Sequence, residues 1–433
     1  MAVGKNVPRV DAVAKVTGRA RYTDDFHMPG MLHAGYVRSP IAHGRVTRID
    51  TAAAKALPGV EAVFTFEDVP QTKFATAGHP YSLDPAHMDV ADRLLLTGHV
   101  RYHGDEVAAV VARDRLILKR AIALVDVTYE EYPVIVEGAA ALAEGAFEIH
   151  SGSGNRIGES GYVTGKELKA VLAEAPVRIE GHYRTRITQH CHIENHIALA
   201  YMDDLDRITI VTSTQIPHIA RRIVGQALGL PWGRIRVIKP YIGGGFGAKQ
   251  DVVLEPMAAW LTRRLDGRPV KIDLSREECM VGTRVRHPFD ITLRAGADSD
   301  GRLLAMDLDV ISNSGAYASH GHSVAGAGGA KMRSLYPNAQ VHYHARTAYS
   351  NIPTAGAMRA YGSPQVLFAV ECAVEEVARA CGLDPLEFRL QNVVRPGDVD
   401  GLTGKPFLSC GLVECLEKGR ALIDWDEKRA RLA

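Results

Sequence analysis

Apolar residues recur along this chain in two periods, one typical of strands and one of helices. Residues 31–38, 60–65 and 107–112 form strand-like runs, and residues 208–215 form a β-branched strand. That last strand leads into a helix with Pro217 in its first turn and Gly229 near its end. Residues 366–379 carry apolar side chains at helical spacing, and residues 412–429 read as a helix with charged faces. The pattern predicts a mixed α and β protein.

Breaks in this periodicity divide the chain. Residues 1–17 read as an N-terminal arm, residues 18–135 as a small α+β domain, and residues 136–165 as a linker rich in Ala, Gly and Ser. Residues 166–433 then form a larger domain. Within it, residues 313–330 are so rich in Gly, Ser and Ala that we expect a loop, close to the active centre.

Composition narrows the class of protein. The 433 residues carry 51 Lys and Arg against 50 Asp and Glu, a net charge of +1, which gives no reason to expect nucleic acid as a partner. No apolar run approaches the roughly 18–20 residues that cross a bilayer, and the first residues lack a secretory pattern. We therefore expect a cytoplasmic protein that does not bind a membrane.

The six cysteines are scattered, at positions 191, 279, 372, 381, 410 and 415, and no pair forms a CxxC motif. This spacing excludes an iron–sulfur ligand run and argues against a zinc ribbon. We expect reduced, mostly buried thiols, and any iron–sulfur centre to lie on another chain.

A glycine loop stands out between a strand-like run at 235–238 and a helix. Its glycines at positions 243, 244, 245 and 247 can bare the backbone amides. Behind it, residues 254, 257, 258, 261 and 265 fall on one helix face. Such a loop is an anion cradle. Gly243-x-Gly245-x-x-Ala248, with Asp273 further on, fits a loose dinucleotide fingerprint. Three adjacent glycines and the protruding Phe246 argue against that interpretation.

Longer motifs favour another ligand. The segment Gly243-Gly-Gly-Phe-Gly-Ala-Lys-Gln250, with Ser213-Thr-Gln215 before it and Ala357-Met-Arg-Ala-Tyr-Gly-Ser-Pro-Gln365 after it, resembles the molybdenum hydroxylases. Those are the xanthine dehydrogenases and aldehyde oxidases, and the resemblance is to the N-terminal half of bacterial molybdenum-binding subunits. It implies an α+β fold: an a/b hammerhead domain over 18–135, then the first molybdopterin-binding domain over 166–433.

The resemblance also implies site residues. Gln215 would reach an oxygen ligand of molybdenum, the backbone of Phe246 and Gly247 would face the cofactor, and Arg359 would add a fixed cation. From the residues alone, a Gln at position 215 is more often a helix cap, and Arg359 is more readily explained as a surface arginine. The implied cofactor is molybdopterin or its cytosine dinucleotide form.

Two positions bear on the substrate. Gln250 takes a place where several purine oxidisers carry Glu, and Tyr361 takes a place where the family commonly has Phe. An amide can donate and accept but supplies no charge, so both departures bear on which substrate is chosen. Lys331 and Arg333 are nearby basic candidates for the far side of the substrate.

The implied activity is oxidative hydroxylation of hypoxanthine or xanthine at an sp2 carbon, with electrons passing through 2Fe–2S and FAD subunits to NAD. The resembled subunits continue for about as much chain again, and that half carries the general-base glutamate. We therefore expect no catalytic residue in this chain, and no activity from it alone. It would be a fragment, a truncated product, or a piece of a split subunit that a second chain completes. The alternatives are a molybdenum hydroxylase for aldehydes, nicotinate or another heteroaromatic, a silent scaffold, and a nicotinamide enzyme.

A histidine-rich stretch, His190-Cys-His-Ile-Glu-Asn-His196, resembles a metal site at first sight. Alternate positions on one strand do not converge on a single ion, so we expect these histidines to be polar residues with protein partners.

Overall fold

A seven-stranded sheet draws strands from both halves of the sequence. The computed structural model describes residues 3–84, 88–165 and 167–432, with elements numbered along the chain. In spatial order the strands are β11 (Ile235–Ile238), β10 (Ile208–Thr212), β9 (Ile197–Met202), β12 (Val270–Asp273), β1 (Leu32–Arg38), β5 (Glu106–Ala112) and β3 (Val60–Thr65). Strand β1 pairs in parallel with β12. The predicted domain boundary near residue 135 therefore separates strands that belong to one continuous sheet.

Two further sheets complete the β-structure of the described residues. A five-stranded sheet has the order β7 (Arg156–Thr164), β15 (Gln340–Tyr349), β14 (Leu303–Gly315), β13 (Phe289–Ala297) and β8 (Val177–Arg184). A three-stranded sheet has the order β4 (His99–Val100), β2 (Gly44–Asp50) and β6 (Asp126–Glu131).

The helices lie between and around these sheets. They are α1 (Ala12–Val16), α2 (Ala52–Ala56), α3 (Arg115–Ala123), α4 (Gly138–Ala141), α5 (Leu168–Glu174), α6 (Pro217–Leu228), α7 (Glu255–Arg264), α8 (Arg276–Gly282), α9 (Gly321–Met332), α10 (Ser363–Ala380), α11 (Pro385–Asn392), α12 (Leu412–Leu422) and α13 (Trp425–Leu432). Short 3-10 turns occupy Thr23–Asp25, Trp232–Arg234 and Ala248–Gln250. None of the helices described has the length and apolar character that a bilayer crossing requires.

The elements around the glycine loop follow the predicted periodicity. Strand β10 is buried along its whole length, and α6 ends at Gly229, whose φ of 63° is left-handed. Helix α7 buries Met257, Ala258 and Leu261 against the seven-stranded sheet. The predicted strand–helix order on both sides of the loop is therefore confirmed.

The predicted loop over residues 313–330 is wrong, because most of it is ordered structure. Strand β14 continues to Gly315, and α9 begins at Gly321. The small residues serve close packing: a Cβ on Gly329 would lie 2.5 Å from the Tyr343 ring, and one on Gly328 would lie 2.9 Å from the Gly362 carbonyl oxygen. A glycine-rich composition therefore marks a tightly packed helix here.

Two other stretches also differ from the sequence pattern. Within residues 136–165 the structure has α4 and β7, and β7 pairs with β15 along nearly its whole length. The charged helix over 412–429 is two helices, α12 and α13, because Asp424 takes a left-handed φ of 51°.

A buried ionic network joins the two halves just after the glycine loop. The Asp251 carboxylate lies 3.1 Å from Nε of Arg284, accepts a hydrogen bond from Ser319 Oγ at 2.8 Å, and lies 3.2 Å from Nδ1 of His320. Arg284 also donates to Thr76. Burial alone would raise the pKa of Asp251, but Arg284 and His320 hold it far below its usual range.

Replacing Gly329 with Ala should destabilise the chain by about 1–3 kcal/mol, because the added methyl group overpacks the contact with Tyr343. Gly326 is the matched control. A Cβ there would meet Ser160 at an ordinary 3.5 Å, so Gly326→Ala should be neutral or stabilise α9 by up to about 1 kcal/mol. Denaturant unfolding of both variants measures the difference, and equal midpoints would contradict the packing.

Asp251→Asn should cost about 3–5 kcal/mol at pH 7, because it leaves the buried Arg284 charge uncompensated. The native pKa of Asp251 is lowered, so its ionised form stabilises the fold above the unfolded pKa of about 4. That contribution is lost as the pH falls towards the native pKa, so the gap between wild type and variant should narrow below about pH 4. Asp290→Asn, at a partly exposed ion pair with Arg184, is the control and should cost at most about 1 kcal/mol. A gap independent of pH contradicts the role of this charge.

Candidate functional site

The side chain and backbone of Gln215 hold the glycine loop. Gln215 follows β10 and precedes α6, where a strand end meets a helix start. Its backbone N–H donates to the Lys249 carbonyl at 2.8 Å, and its side-chain Oε1 accepts from the Gly247 amide at 3.0 Å. Because Oε1 is engaged inside the protein, the amide presents its Nε2 hydrogens as donors.

A buried ion pair fixes the two ends of the loop. Lys249 is buried, and its Nζ donates to Glu194 at 2.7 Å (Oε2) and 3.1 Å (backbone O). The same Oε2 accepts from the Gly243 amide at 2.9 Å. Burial lowers the pKa of Lys249, and the hydrogen bond and charge of Glu194 oppose that shift. A residue outside the glycine motif, Glu194, therefore sets the shape of the loop. The sequence patterns did not link Glu194 to this loop.

The turn at residues 357–362 packs directly on the loop. The Arg359 amide donates to the Phe246 carbonyl at 2.8 Å, and Arg286 donates to the Arg359 carbonyl at 3.0 Å. Gly247 has a φ of 106°, and a Cβ there would lie 2.5 Å from the Ala357 carbonyl oxygen. Only glycine fits this contact. The four predicted cofactor residues, Gln215, Phe246, Gly247 and Arg359, are thus joined by hydrogen bonds or by adjacency in the chain.

Backbone strain is concentrated in these segments. Among the described residues, nine other than glycine have a left-handed φ, and five belong to the site and its supports: Cys191, Phe246, Ser319, Ala360 and Tyr361. Phe246 combines a φ of 51° with a side chain that is 49% exposed. A strained, outward-pointing aromatic residue is costly without a ligand, and such strain clusters at functional sites.

The two predicted substrate residues lie next to the predicted cofactor residues in the chain, Gln250 just after the glycine loop and Tyr361 in the Arg359 turn. Gln250 donates its backbone N–H to the Gly247 carbonyl at 2.9 Å. Tyr361 is half-buried, its hydroxyl lies 3.5 Å from Ser323 Oγ, and its ring lies 5.7 Å from that of His320. Burial raises the pKa of Tyr361 to about 12, so this hydroxyl is neutral. The sequence pattern did not identify Ser323 or His320 as neighbours of Tyr361.

Arg333 and Lys331, the basic candidates for the far side of the substrate, differ in how far they are engaged by other residues. Arg333 is bound to Asp400, with distances of 3.0 Å from Nε and 2.9 Å from Nη2, and its guanidinium lies over the Tyr162 ring. Lys331 is exposed in the last turn of α9. The structure therefore commits Arg333 to an internal ion pair.

These residues fit an anionic, oxygen-rich cofactor. Gln215 offers an amide donor, Arg359 is an exposed cation, and the glycine loop between them has its backbone fixed in advance. Molybdopterin carries oxo and phosphate oxygens, which such donors match. Gln215, Phe246, Gly247 and Arg359 are the residues that would hold it.

The histidine-rich stretch supports the site as scaffold. His190 contacts the carbonyls of Arg284 and Ala357 at 3.0 and 2.8 Å, His192 contacts that of Glu194 at 2.5 Å, and His196 contacts that of Ala248 at 3.4 Å. Burial, helped by the charge of Lys249, lowers the pKa of His192 to about 4. The expectation that these histidines have protein partners is confirmed.

The geometry does not match a dinucleotide site. Strands β11 and β12 are separated by β10 and β9, whereas a dinucleotide-binding unit places its successive strands side by side. Asp273, the candidate ribose ligand, lies 2.6 Å from Arg115. The Gly247 amide already binds Gln215.

All six cysteines are free, as expected, but only Cys279 is buried. Cys372, Cys381 and Cys410 are partly exposed, and Cys191 and Cys415 are exposed, so the expectation of mostly buried thiols is wrong.

Comparison with known proteins identifies the two regions. Residues 17–133 match the model of the aldehyde oxidase and xanthine dehydrogenase a/b hammerhead domain, and residues 149–393 match the molybdopterin cofactor-binding domain. The chain is 57% identical to the xanthine dehydrogenase molybdenum-binding subunit of Escherichia coli O157:H7, over 98% of this chain and 56% of that protein.

Two other relatives differ in length. The nicotinate dehydrogenase large molybdopterin subunit of Eubacterium barkeri is 33% identical, over 96% of this chain and 95% of its own. The structure of the aldehyde oxidoreductase from Desulfovibrio gigas matches with a TM-score of 0.89 and 31% identity, over 98% of this chain and 47% of that one. The chain thus spans about half the length of the xanthine dehydrogenase subunit and the aldehyde oxidoreductase. It belongs to the aldehyde oxidase and xanthine dehydrogenase family of molybdenum hydroxylases, with a hammerhead domain followed by a molybdopterin-binding domain.

Proposed function

We propose that this chain supplies the molybdopterin-holding part of a xanthine dehydrogenase that hydroxylates hypoxanthine and xanthine at an sp2 carbon. The observation that carries the proposal is the joined geometry of Gln215, the glycine loop and the Arg359 turn. It occurs in a chain that is 57% identical to a xanthine dehydrogenase molybdenum-binding subunit. The activity belongs to the complete complex rather than to this chain alone.

In this proposal, the predicted cofactor and substrate residues position the cofactor and the substrate. The bound molybdopterin centre supplies the two-electron redox chemistry. Gln215 donates its amide hydrogens towards the centre, Phe246 and Gly247 face it with a backbone fixed by hydrogen bonds, and Arg359 offsets its negative charge. Gln250 and Tyr361 orient the heteroaromatic ring of the substrate, through an amide and an aromatic face with a neutral hydroxyl.

Other chain segments complete the reaction. None of the residues that the proposal places at the site is the general base, which in this proposal comes from another part of the complex. Electrons pass to a 2Fe–2S subunit and an FAD-binding subunit and then to NAD. We place the complex in the cytoplasm.

A second candidate is hydroxylation of another heteroaromatic ring, such as nicotinate. The observation that favours it is the relative named as a nicotinate dehydrogenase subunit, which this chain matches over nearly all of both lengths. We also propose that a second chain completes the molybdopterin site. Substrate profiling of the complete complex, with hypoxanthine, xanthine, nicotinate and an aldehyde, separates the candidates.

The complex isolated from its native host should contain molybdenum and a molybdopterin derivative, with iron and flavin on companion chains. Arg359→Met should lower the molybdenum content, because it removes the exposed cation beside the loop. Arg302→Met, at an exposed arginine in a distant turn, should not change it. Metal analysis and pterin fluorescence of matched preparations measure this. A chain without cofactor or companions favours a silent relic, and NAD or FAD bound to this chain itself contradicts the proposal.

Gln250→Glu should change the ratio of kcat/KM for hypoxanthine over nicotinate by roughly 10- to 100-fold, because a charged hydrogen bond replaces a neutral one at the substrate. Steady-state kinetics of the complete complex measure it, with unchanged molybdenum content as the control. An unaltered ratio would place residue 250 away from the substrate.

A further inference from the structure

A second cluster of potential ligands lies beside the proposed substrate side, between the two halves of the chain. His79 and Asp89 come from the long connection between β3 and β4, and His322 comes from the first turn of α9. One ligand atom from each residue lies within 4.8 Å of the others. All three residues are partly buried. Two imidazoles and a carboxylate are the donor set of many zinc and other transition-metal sites.

His79 has a hydrogen-bond partner at each ring nitrogen. Ser323 Oγ donates to the His320 carbonyl at 3.0 Å, so towards His79 it acts as an acceptor. His79 Nε2, at 3.0 Å from that oxygen, is therefore the nitrogen that carries hydrogen. His79 Nδ1 contacts Asp89 Oδ1 directly. An ion bound by both atoms takes the place of this contact, because two ligand atoms of a tetrahedral ion lie roughly 3.3 Å apart.

The neighbouring groups supply a third ligand and orient the Asp89 carboxylate. His322 Nε2 lies 3.8 Å from the same Asp89 Oδ1 and supplies the third ligand. Arg222 lies on the far side of the carboxylate, with Nη2 at 3.6 Å from Oδ2 and a hydrogen bond to the His79 carbonyl at 3.0 Å. It orients Asp89 without occupying Oδ1. The bond from His79 Nε2 to Ser323 is the outer-shell contact that metal-bound histidines usually make.

We propose that His79 Nδ1, Asp89 Oδ1 and His322 Nε2 bind one divalent transition-metal ion, Zn²⁺ by preference, which joins the hammerhead connection to α9. The ion is separate from the molybdopterin centre and takes its fourth ligand from water. Ser323 contacts both His79 and Tyr361, so the ion also fixes the support of the Tyr361 hydroxyl.

The test is zinc binding to the full chain, isolated with any companion that co-purifies and stripped with a chelator. Calorimetric titration should give one equivalent of Zn²⁺ for wild type and none at this site for His79→Gln or His322→Gln. Ser323→Ala should keep the stoichiometry and weaken the affinity roughly 10- to 100-fold, because it removes the outer-shell bond. His342→Gln is the matched control: His342 also bonds a carboxylate, that of Asp307 at 2.6 Å, in the five-stranded sheet.

Cobalt substitution of wild type keeps the test independent of variant folding. Bound Co²⁺ should show the visible bands of nitrogen and oxygen ligation. A thiolate charge-transfer band would place the ion at the free cysteines and overturn the proposal. So would a wild type that binds no Zn²⁺, or ligand variants that keep their equivalent. In those cases the direct hydrogen bond between His79 and Asp89 accounts for the cluster. Neither result depends on molybdenum or turnover, so the proposed function is tested separately.

Discussion

The buried ammonium group of Lys249 is the constraint on which the glycine loop depends. A charge inside the protein is tolerated only with a partner, and Glu194 is that partner, at 2.7 Å. Glu194 also binds the Gly243 amide, so the two ends of the loop are tied to a single carboxylate. Gln215 then fixes the middle of the loop through Gly247. Four glycines would otherwise make this segment one of the most flexible in the chain, and a rigid cofactor site requires the opposite.

The same bonds explain how the strain at the site is maintained. A left-handed φ at Phe246, Ala360 or Tyr361 persists only where the surrounding contacts over-determine the backbone. The hydrogen bond from the Arg359 amide to the Phe246 carbonyl joins the two strained segments, and Arg286 holds the Arg359 carbonyl from outside. The exposed ring of Phe246 and the exposed charge of Arg359 are therefore presented by a backbone that does not have to reorganise for a ligand.

The sequence predicted the local elements better than the contacts between them. The strand before Gln215, helix α6 with its glycine end and helix α7 all follow from periods of 2 and 3.6 residues. The predicted cofactor residues came from motifs in a recognisable order, and the structure brings them together. Helix α9 was not predicted, because its glycines serve packing against Tyr343 and Gly362, which only the fold reveals. The pairing of Glu194 with Lys249 was not predicted either, since no local pattern links residues 55 positions apart.

The hammerhead region acts as part of the site's foundation rather than as a separate module. Strand β1 forms a parallel ladder with β12, so the sheet that carries β10 and β11 continues into residues from the first part of the chain. Thr76, Gly78 and His79 reach across to Arg284, His320 and Ser323 on the side of Tyr361. Each of these contacts joins segments more than 200 residues apart. The neighbours of Tyr361 are therefore bonded to the hammerhead region, which couples the proposed substrate side to that region.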